Sequence, residues 1–400
     1  MNKRYWIRAA LMSAVLLITM MGFTIFAQEA PPPLAAVTNG GLFLYEGGAG
    51  SQVESTNIAY YDLTWSPDGS KLAYTVNDGN ATRLMLTDSA GSAPTQLAGN
   101  VSYIPVTFTE DSAQVIYTIE DSTQVTTMAN GLPGSTMNVF LQGVEGQVAT
   151  FGFGVGCGGG SPFPMDAVYN TEAGFGGSAL TFENTAYGIL YSTACTGQGL
   201  ALLNLETGEN VSLGDNLSRA KLAPDGRRAL MLQGGGLSVL DLESRQVSGI
   251  STSAAPDQIG WGADGSAYYS TRTLRTDAMP MAPEEASAFS AYLGMDASAF
   301  PQYEVALYQV DVNTGAEAQV YAGPGWAVGR IFAAQGGLYF SLVPNGEAWV
   351  EAIAAGTLDI TAPDSFFRER QIVAARLMRL VGDGTAVEVG TDIGQATPKP

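Results

Sequence analysis

The chain has 400 residues, with 38 acidic against 18 basic side chains and a formal net charge of −20. That balance leaves no cationic surface for the phosphates of DNA or RNA, and nucleic acid is set aside as a partner. The complete absence of histidine removes Ser-His-Asp triads, Cys-His dyads, imidazole metal ligands and the usual pH switch in one step, and no catalytic residue, cofactor or metal site is expected.

The N-terminus opens with Lys3, Arg4 and Arg8 and continues apolar from Ala9 to Ala27, followed by small and polar residues. This is the pattern of a secretory signal over 1–27. Cleavage there predicts an extracytoplasmic protein, secreted or periplasmic, with no membrane attachment afterwards. The alternative is an uncleaved anchor, because about 20 apolar residues span a bilayer. Residues 28–34 contain Pro31-Pro32-Pro33 and read as a stiff spacer.

From residue 35 to 396 the chain repeats a unit of two hairpins. The first hairpin recurs as LTWSPDGSKLAYTV from Leu63, VTFTEDSAQVIYTI from Val106, LTFENTAYGILYST from Leu180, AKLAPDGRRALML from Ala220, IGWGADGSAYYST from Ile259 and VGRIFAAQGGLYFSL from Val328. Apolar residues alternate on either side of a turn, the period of half-buried strands. Pro67 and Pro224 preset φ, Asp68, Asp225 and Asp264 bond their own backbone, and Gly69, Gly226 and Gly265 accept positive φ. The second hairpin follows as RLMLTDSAG, NVFLQGVEG, LALLNLETG, LSVLDLESR, VALYQVDVNTG and RLMRLVGDG. One unit therefore supplies four antiparallel strands, a to d.

The run WSPDGSKLAY with its following hairpin resembles the TolB-type, WD40-like propeller repeat, and APDGRRALML and WGADGSAYY are weaker copies. The resemblance implies an all-β propeller used as a binding scaffold or as the accessory domain of a peptidase. An extra second-type hairpin, GLFLYEGGAGSQVES, stands near the N-terminus after AAVTN, and TDIGQ near the C-terminus echoes DQIGW. The expectation is a seven-bladed propeller whose last blade is closed by both termini; the alternative is six blades with the N-terminal hairpin added at the seam. Closure removes the sheet edge that would otherwise recruit a second chain, and a monomer is expected.

Strand direction puts the a-b and c-d turns on one face and the b-c and d-a connections on the other. The insertions at 120–136, 152–177, 275–302 and 344–369 all fall on the second face, which makes it the expected binding face for a protein, peptide or glycan. Two of them carry short helical patterns, PEEASAFSAYLG with Phe289 and Tyr292, and GEAWVEAIAAG with Trp349; Phe366 and Phe367 follow. Rim helices and a partner-binding lid are both consistent with these segments. Cys157 and Cys195 reach the same face in an exported chain and are expected to form a disulfide, worth about 3 to 4 kcal/mol for a loop of this size.

Other motifs have weaker readings. VGCGGGSPFP lacks the lysine of a phosphate loop. Asp311-Val312-Asn313-Thr314-Gly315 begins like a calcium loop without its bidentate glutamate, and reads as a hairpin turn. Paired carboxylates at Glu110-Asp111, Glu120-Asp121 and Glu284-Glu285 keep a carboxylate-based carbohydrate-active enzyme as the rival to a non-enzymatic binding module.

Overall fold

The computed structural model describes residues 31–38, 41–46, 49–54, 59–77, 82–101, 105–127, 133–143, 148–155, 180–193, 198–275, 303–335, 337–343, 376–381, 384–391 and 393–400. Among them all regular structure is β. The first unit contains Leu34–Thr38 (β1), Gly41–Glu46 (β2) and Ala49–Glu54 (β3). Ala59–Trp65 (β4), Lys71–Asn77 (β5), Thr82–Asp88 (β6) and Thr95–Gly99 (β7) form the second. Thr107–Phe108 (β8), Gln114–Thr127 (β9), Pro133–Gly143 (β10) and Val148–Val155 (β11) form the third.

Phe182–Thr185 (β12), Gly188–Ser192 (β13), Gln198–Leu203 (β14) and Asn210–Leu222 (β15) follow, with Arg228–Gln233 (β16), Gly236–Asp241 (β17) and Gln246–Ile250 (β18) in the same sheet. Then come Ile259–Trp261 (β19), Ala267–Leu274 (β20), Tyr303–Val310 (β21) and Glu317–Pro324 (β22). Ala327–Ala334 (β23), Gly337–Val343 (β24), Arg376–Leu380 (β25) and Ala386–Thr391 (β26) precede the last strand, Ile393–Pro398 (β27).

Five sheets have four strands, and the sixth has seven because β15 is the outer strand of one unit and the inner strand of the next. A bulge between Ser218 and Lys221, with Arg219 at φ 53°, bends β15 between these two roles. At the termini, β27 pairs antiparallel with β1, giving the order β27-β1-β2-β3. Residues of opposite ends also meet outside the ladder: the Lys399 N–H donates to the Pro33 carbonyl at 3.0 Å, and the Lys399 ammonium pairs with Glu46.

The core is a series of apolar clusters, each shared by two successive units. Leu42 and Leu44 meet Trp65 and Tyr74; Leu84 meets Phe108 and Tyr117; Ile116 and Val139 meet Phe182 and Tyr191. Leu190 and Leu202 meet Met231 and Leu240, Leu230 meets Trp261 and Tyr269, and Leu307 meets Ile331 and Phe340. Phe332 and Tyr339 then meet Leu34, Ala36 and Ile393 of the first unit. The inner strands neighbour one another in the same order, with β27 lying against both β4 and β23.

This packing changes what the alternation means. In the middle strands Leu72, Ala73, Tyr74, Thr75 and Val76 are all buried, because both faces of a unit are covered by neighbours. The outermost strands β3, β7 and β22 carry no buried residue and are exposed or partly covered along their length. A hydroxyl follows the central aromatic of strand b at Thr75, Thr118, Ser192, Ser270 and Ser341, all buried. Three of them accept an inner-strand N–H where the ladder is broken: Thr181 N to Ser192 Oγ at 2.8 Å, Gln258 N to Ser270 Oγ at 3.1 Å and Arg330 N to Ser341 Oγ at 3.2 Å. A buried N–H left alone would cost about 1–3 kcal/mol.

The turns follow the sequence chemistry. Asp68 Oδ1 accepts the Ser70 N–H at 3.0 Å while Gly69 sits at φ 68°, and Asp264 does the same for Ser266 at 3.0 Å. The unit that lacks Pro-Asp-Gly keeps the same wiring. Thr109 and Asp111 take the places of Ser66 and Asp68, the Ala113 N–H donates to Asp111 at 3.0 Å, and Ser112 accepts φ 61° where the other unit has glycine. Its hydroxyl accepts the Asp68 N–H at 3.1 Å, joining two units. Asp311 likewise accepts the Asn313 and Thr314 N–H groups at 2.8 and 3.1 Å, as a hairpin turn should.

Two insertion boundaries differ from expectation. Much of 120–136 is strand rather than loop, since β9 runs to Thr127 and β10 starts at Pro133 as a long hairpin. Within 152–177, β11 continues to Val155. The ladder of β9 and β10 continues through Val125, Thr126 and Thr127, which pair with Ser135, Gly134 and Pro133.

The turn carboxylates set an acid limit on stability. Hydrogen bonds from Ser66 hold Asp68 below the ordinary carboxylate range, those from Thr109 do so for Asp111, and backbone N–H donors do so for Asp264 and Asp311. A lowered folded pKa adds stability above the unfolded value of about 3.9, and that contribution disappears as pH falls through the folded values. The urea midpoint should therefore fall between pH 5 and pH 2 (roughly the span over which such carboxylates protonate), and Asp68→Ala should fall less steeply; parallel curves would contradict this. Trp65 Nε1 donates to the Thr397 carbonyl at 3.2 Å and Trp261 Nε1 to the Lys221 carbonyl at 2.8 Å, each across a unit boundary. Trp261→Phe should lower unfolding free energy by about 1–3 kcal/mol by orphaning that carbonyl.

Candidate functional site

The inner strands carry charged residues where apolar ones would suffice for folding. Asp62 lies on β4, Glu183 on β12, Lys221 at the end of β15 and Arg330 on β23. Each is only partly accessible, and each lies in the electrostatic field of the others: Asp62 with Arg330, Glu183 with Lys221 and Arg330, Lys221 with Asp62. Four units thus contribute one charged group apiece to a shared interior site, the channel that the inner strands surround.

Backbone irregularity places these groups. The register slips between Tyr60 and Asp62 on β4, between Ser218 and Lys221 on β15, and between Val328 and Ile331 on β23. A bulge re-aims the side chain it carries. By pairing register, Asp62, Gln258 and Arg330 occupy equivalent positions, since Leu63 faces Tyr74, Ile259 faces Tyr269 and Ile331 faces Phe340.

The groups differ in how they are held. Asp62 Oδ2 accepts the Val106 N–H of the next unit at 2.8 Å, and the Thr64 hydroxyl lies 3.2 Å from the same oxygen. Arg330 donates to the Ala396 carbonyl of the terminal strand at 3.2 Å, and Arg219 donates to the Asp257 carbonyl. Glu183 and Lys221 face each other's charge with no hydrogen bond or ion pair joining either to a described residue. Burial pushes the Glu183 and Asp62 carboxyls up, and pushes the Lys221 ammonium and Arg330 guanidinium down, against the opposing charges.

A second cluster lies on the face of the b-c and d-a connections. The Arg272 guanidinium stacks over Tyr303 at 4.7 Å and Trp326 at 5.9 Å, and the two rings meet edge to face at 5.1 Å. Arg272 lies in the last residues of β20, just before the insertion 275–302, and Trp326 N donates to the Val343 carbonyl at 2.7 Å, just before 344–369. Leu274 beside it is 53% exposed. On the opposite face, a cavity of about 510 Å³ is lined by Arg228, Asp264, Asp311 and Glu317. Its polar groups are already engaged, Glu317 with Tyr269 at 2.6 Å and Arg228 with Asp225 at 3.0 Å.

The sequence-predicted site residues Cys157, Cys195, Phe289, Tyr292, Trp349, Phe366 and Phe367 lie outside the described residues, as do Glu284-Glu285 and both helical patterns. Asp111 is a turn residue, and Glu120 and Asp121 lie within β9 opposite Met137 and Thr136. The channel charges and the Arg272 cluster escaped sequence reading. A charged residue three before the motif aromatic, as in DLTW, or between strand residues, as in TFEN, was the available signal.

No protein-family model matches the chain, and no curated relative matches it. Solved structures similar in fold include TolB from Acinetobacter baumannii, with 13% identity and a TM-score of 0.40 over 74% of this chain and 64% of that one. They also include the Cps50 (Swd1) beta-propeller domain of Myceliophteria thermophila, at 13% identity and a TM-score of 0.43 over 78% of this chain and 90% of that one. An oligogalacturonate lyase in complex with manganese matches at 12% identity and TM-score 0.43 over 90% and 97%. This chain thus spans less than two thirds of the TolB structure. The fold assignment, an all-β propeller of four-stranded antiparallel sheets, rests on the strand pairing itself.

Glu183→Gln and Lys221→Met should each destabilise the protein by stranding the other charge, while the double variant recovers most of the loss. Urea unfolding of all four proteins checks this; strictly additive losses would show that the two groups do not interact.

Proposed function

We propose that the chain is an exported TolB-type propeller of seven four-stranded units, acting as a non-enzymatic binding module for a protein, peptide or glycan. The observation that carries this reading is the Arg272, Tyr303 and Trp326 cluster at the base of the insertion-bearing face. Arginine, tyrosine and tryptophan are the residue types that dominate binding energy at interfaces. They sit between the roots of two long insertions, with an exposed leucine beside them. Among the described residues no helix is long and apolar enough to cross a membrane.

A carboxylate-based enzyme is the second reading, supported by Asp62 and Glu183 in one channel with raised pKa values. Asp62 already accepts a backbone N–H and faces a hydroxyl, which fits a structural carboxylate better than a catalytic one.

Affinity capture from the extracytoplasmic fraction, followed by titration of the retained partner, tests the binding reading. Trp326→Ala and Arg272→Ala should each weaken retention by about tenfold or more, the cost of a hot-spot truncation, with the fold kept by circular dichroism. Unchanged retention would remove this face as the binding surface. Glycoside hydrolysis that disappears in Glu183→Gln would favour the enzyme instead.

A further inference from the structure

Glu183 and Lys221 stand on strands of adjoining units, β12 and the inner part of β15, whose backbones are tied where the Ala220 N–H donates to Thr181 Oγ1 at 3.0 Å. The two backbones are fixed on both sides. Ser192 Oγ accepts the Thr181 N–H at 2.8 Å, and Trp261 Nε1 donates to the Lys221 carbonyl at 2.8 Å. Opposite charges held this firmly would be expected to close into an ion pair, yet no such pair joins them among the described residues. The site therefore holds an acceptor and a cationic donor in one partly accessible interior.

We propose that this channel binds a small zwitterion whose ammonium and carboxylate lie a few atoms apart, as in a free amino acid or an unblocked short peptide. The ligand ammonium is taken by Glu183. Its carboxylate is taken by Lys221. Arg330 and Asp62 flank the pair and are already committed to the Ala396 carbonyl and the Val106 N–H, so they supply field rather than direct contacts. A neutral molecule with both charges relieves the desolvation cost of both side chains at once. A simple anion or cation relieves only one and strands the other. Burial pushes Glu183 upward and Lys221 downward, against the attraction of the opposite charges around them.

This inference is independent of the insertion-face reading, because Trp326 and Arg272 take no part in it. Isothermal titration of the intact protein with glycine, glycylglycine, N-acetylglycylglycine and glycylglycinamide tests it. At least one of the two zwitterions should bind tenfold or more tightly than either blocked peptide. Preference for glycine or for glycylglycine decides between an amino acid and a peptide. Glu183→Gln should abolish discrimination against the acetylated peptide, and Lys221→Met discrimination against the amide. The double variant, whose charges balance, serves as the folded control without binding. Trp326→Ala should bind the zwitterion unchanged. Equal binding of blocked and unblocked peptides, no binding by any of the four, or wild-type affinity in both single variants would overturn the proposal.

Discussion

Each unit of this protein is a thin four-stranded sheet that is apolar on both faces, and neither face is covered from within the unit. That constraint organises everything else. Tyr74, Tyr269 and Phe340 are fully buried only because a neighbouring unit closes over them, and removal of such a ring from a core costs about 3–5 kcal/mol. A linear stack would leave two faces bare. The pairing of β27 with β1, and the cluster joining Phe332 and Tyr339 to Leu34 and Ile393, cover them with the chain's own ends.

Polar chemistry at unit boundaries follows from the same geometry. Inner strands converge, so their ladders break into bulges, and every break frees a backbone group that must find a partner. Ser192, Ser270 and Ser341 supply hydroxyls, Trp65 and Trp261 supply indole N–H groups, and Asp62 supplies a carboxylate. The bulges that need these partners are also the places where charged side chains turn toward the interior. Folding and site construction thus use the same irregularities.

Local turn chemistry was legible in the sequence because it is local: Asp68, Asp264 and Asp311 bond the N–H groups two or three residues on, as their spacing requires. Strand content and the use of both termini in one sheet were legible because hairpin copies could be counted. The inner-unit role of Ser112 in place of glycine was not, since its positive φ is offset by a hydroxyl contact to another unit. Nor were the channel charges. Asp62, Glu183, Lys221 and Arg330 are separated by 38 residues or more at their closest, Glu183 to Lys221, and only the ring brings them together. The extended β9–β10 hairpin was hidden for a different reason, because polar alternation over 120–127 reads equally as a loop.

The central claim is that the two ends of the chain complete the structure as one of its sheets. Native-state hydrogen exchange of the β1 and β27 amides measures this most directly. These amides should exchange only through global unfolding, with the same free energy as the amides of β5 and β24. Exchange of β27 through a local opening of far lower free energy, while the other sheets stay protected, would contradict it.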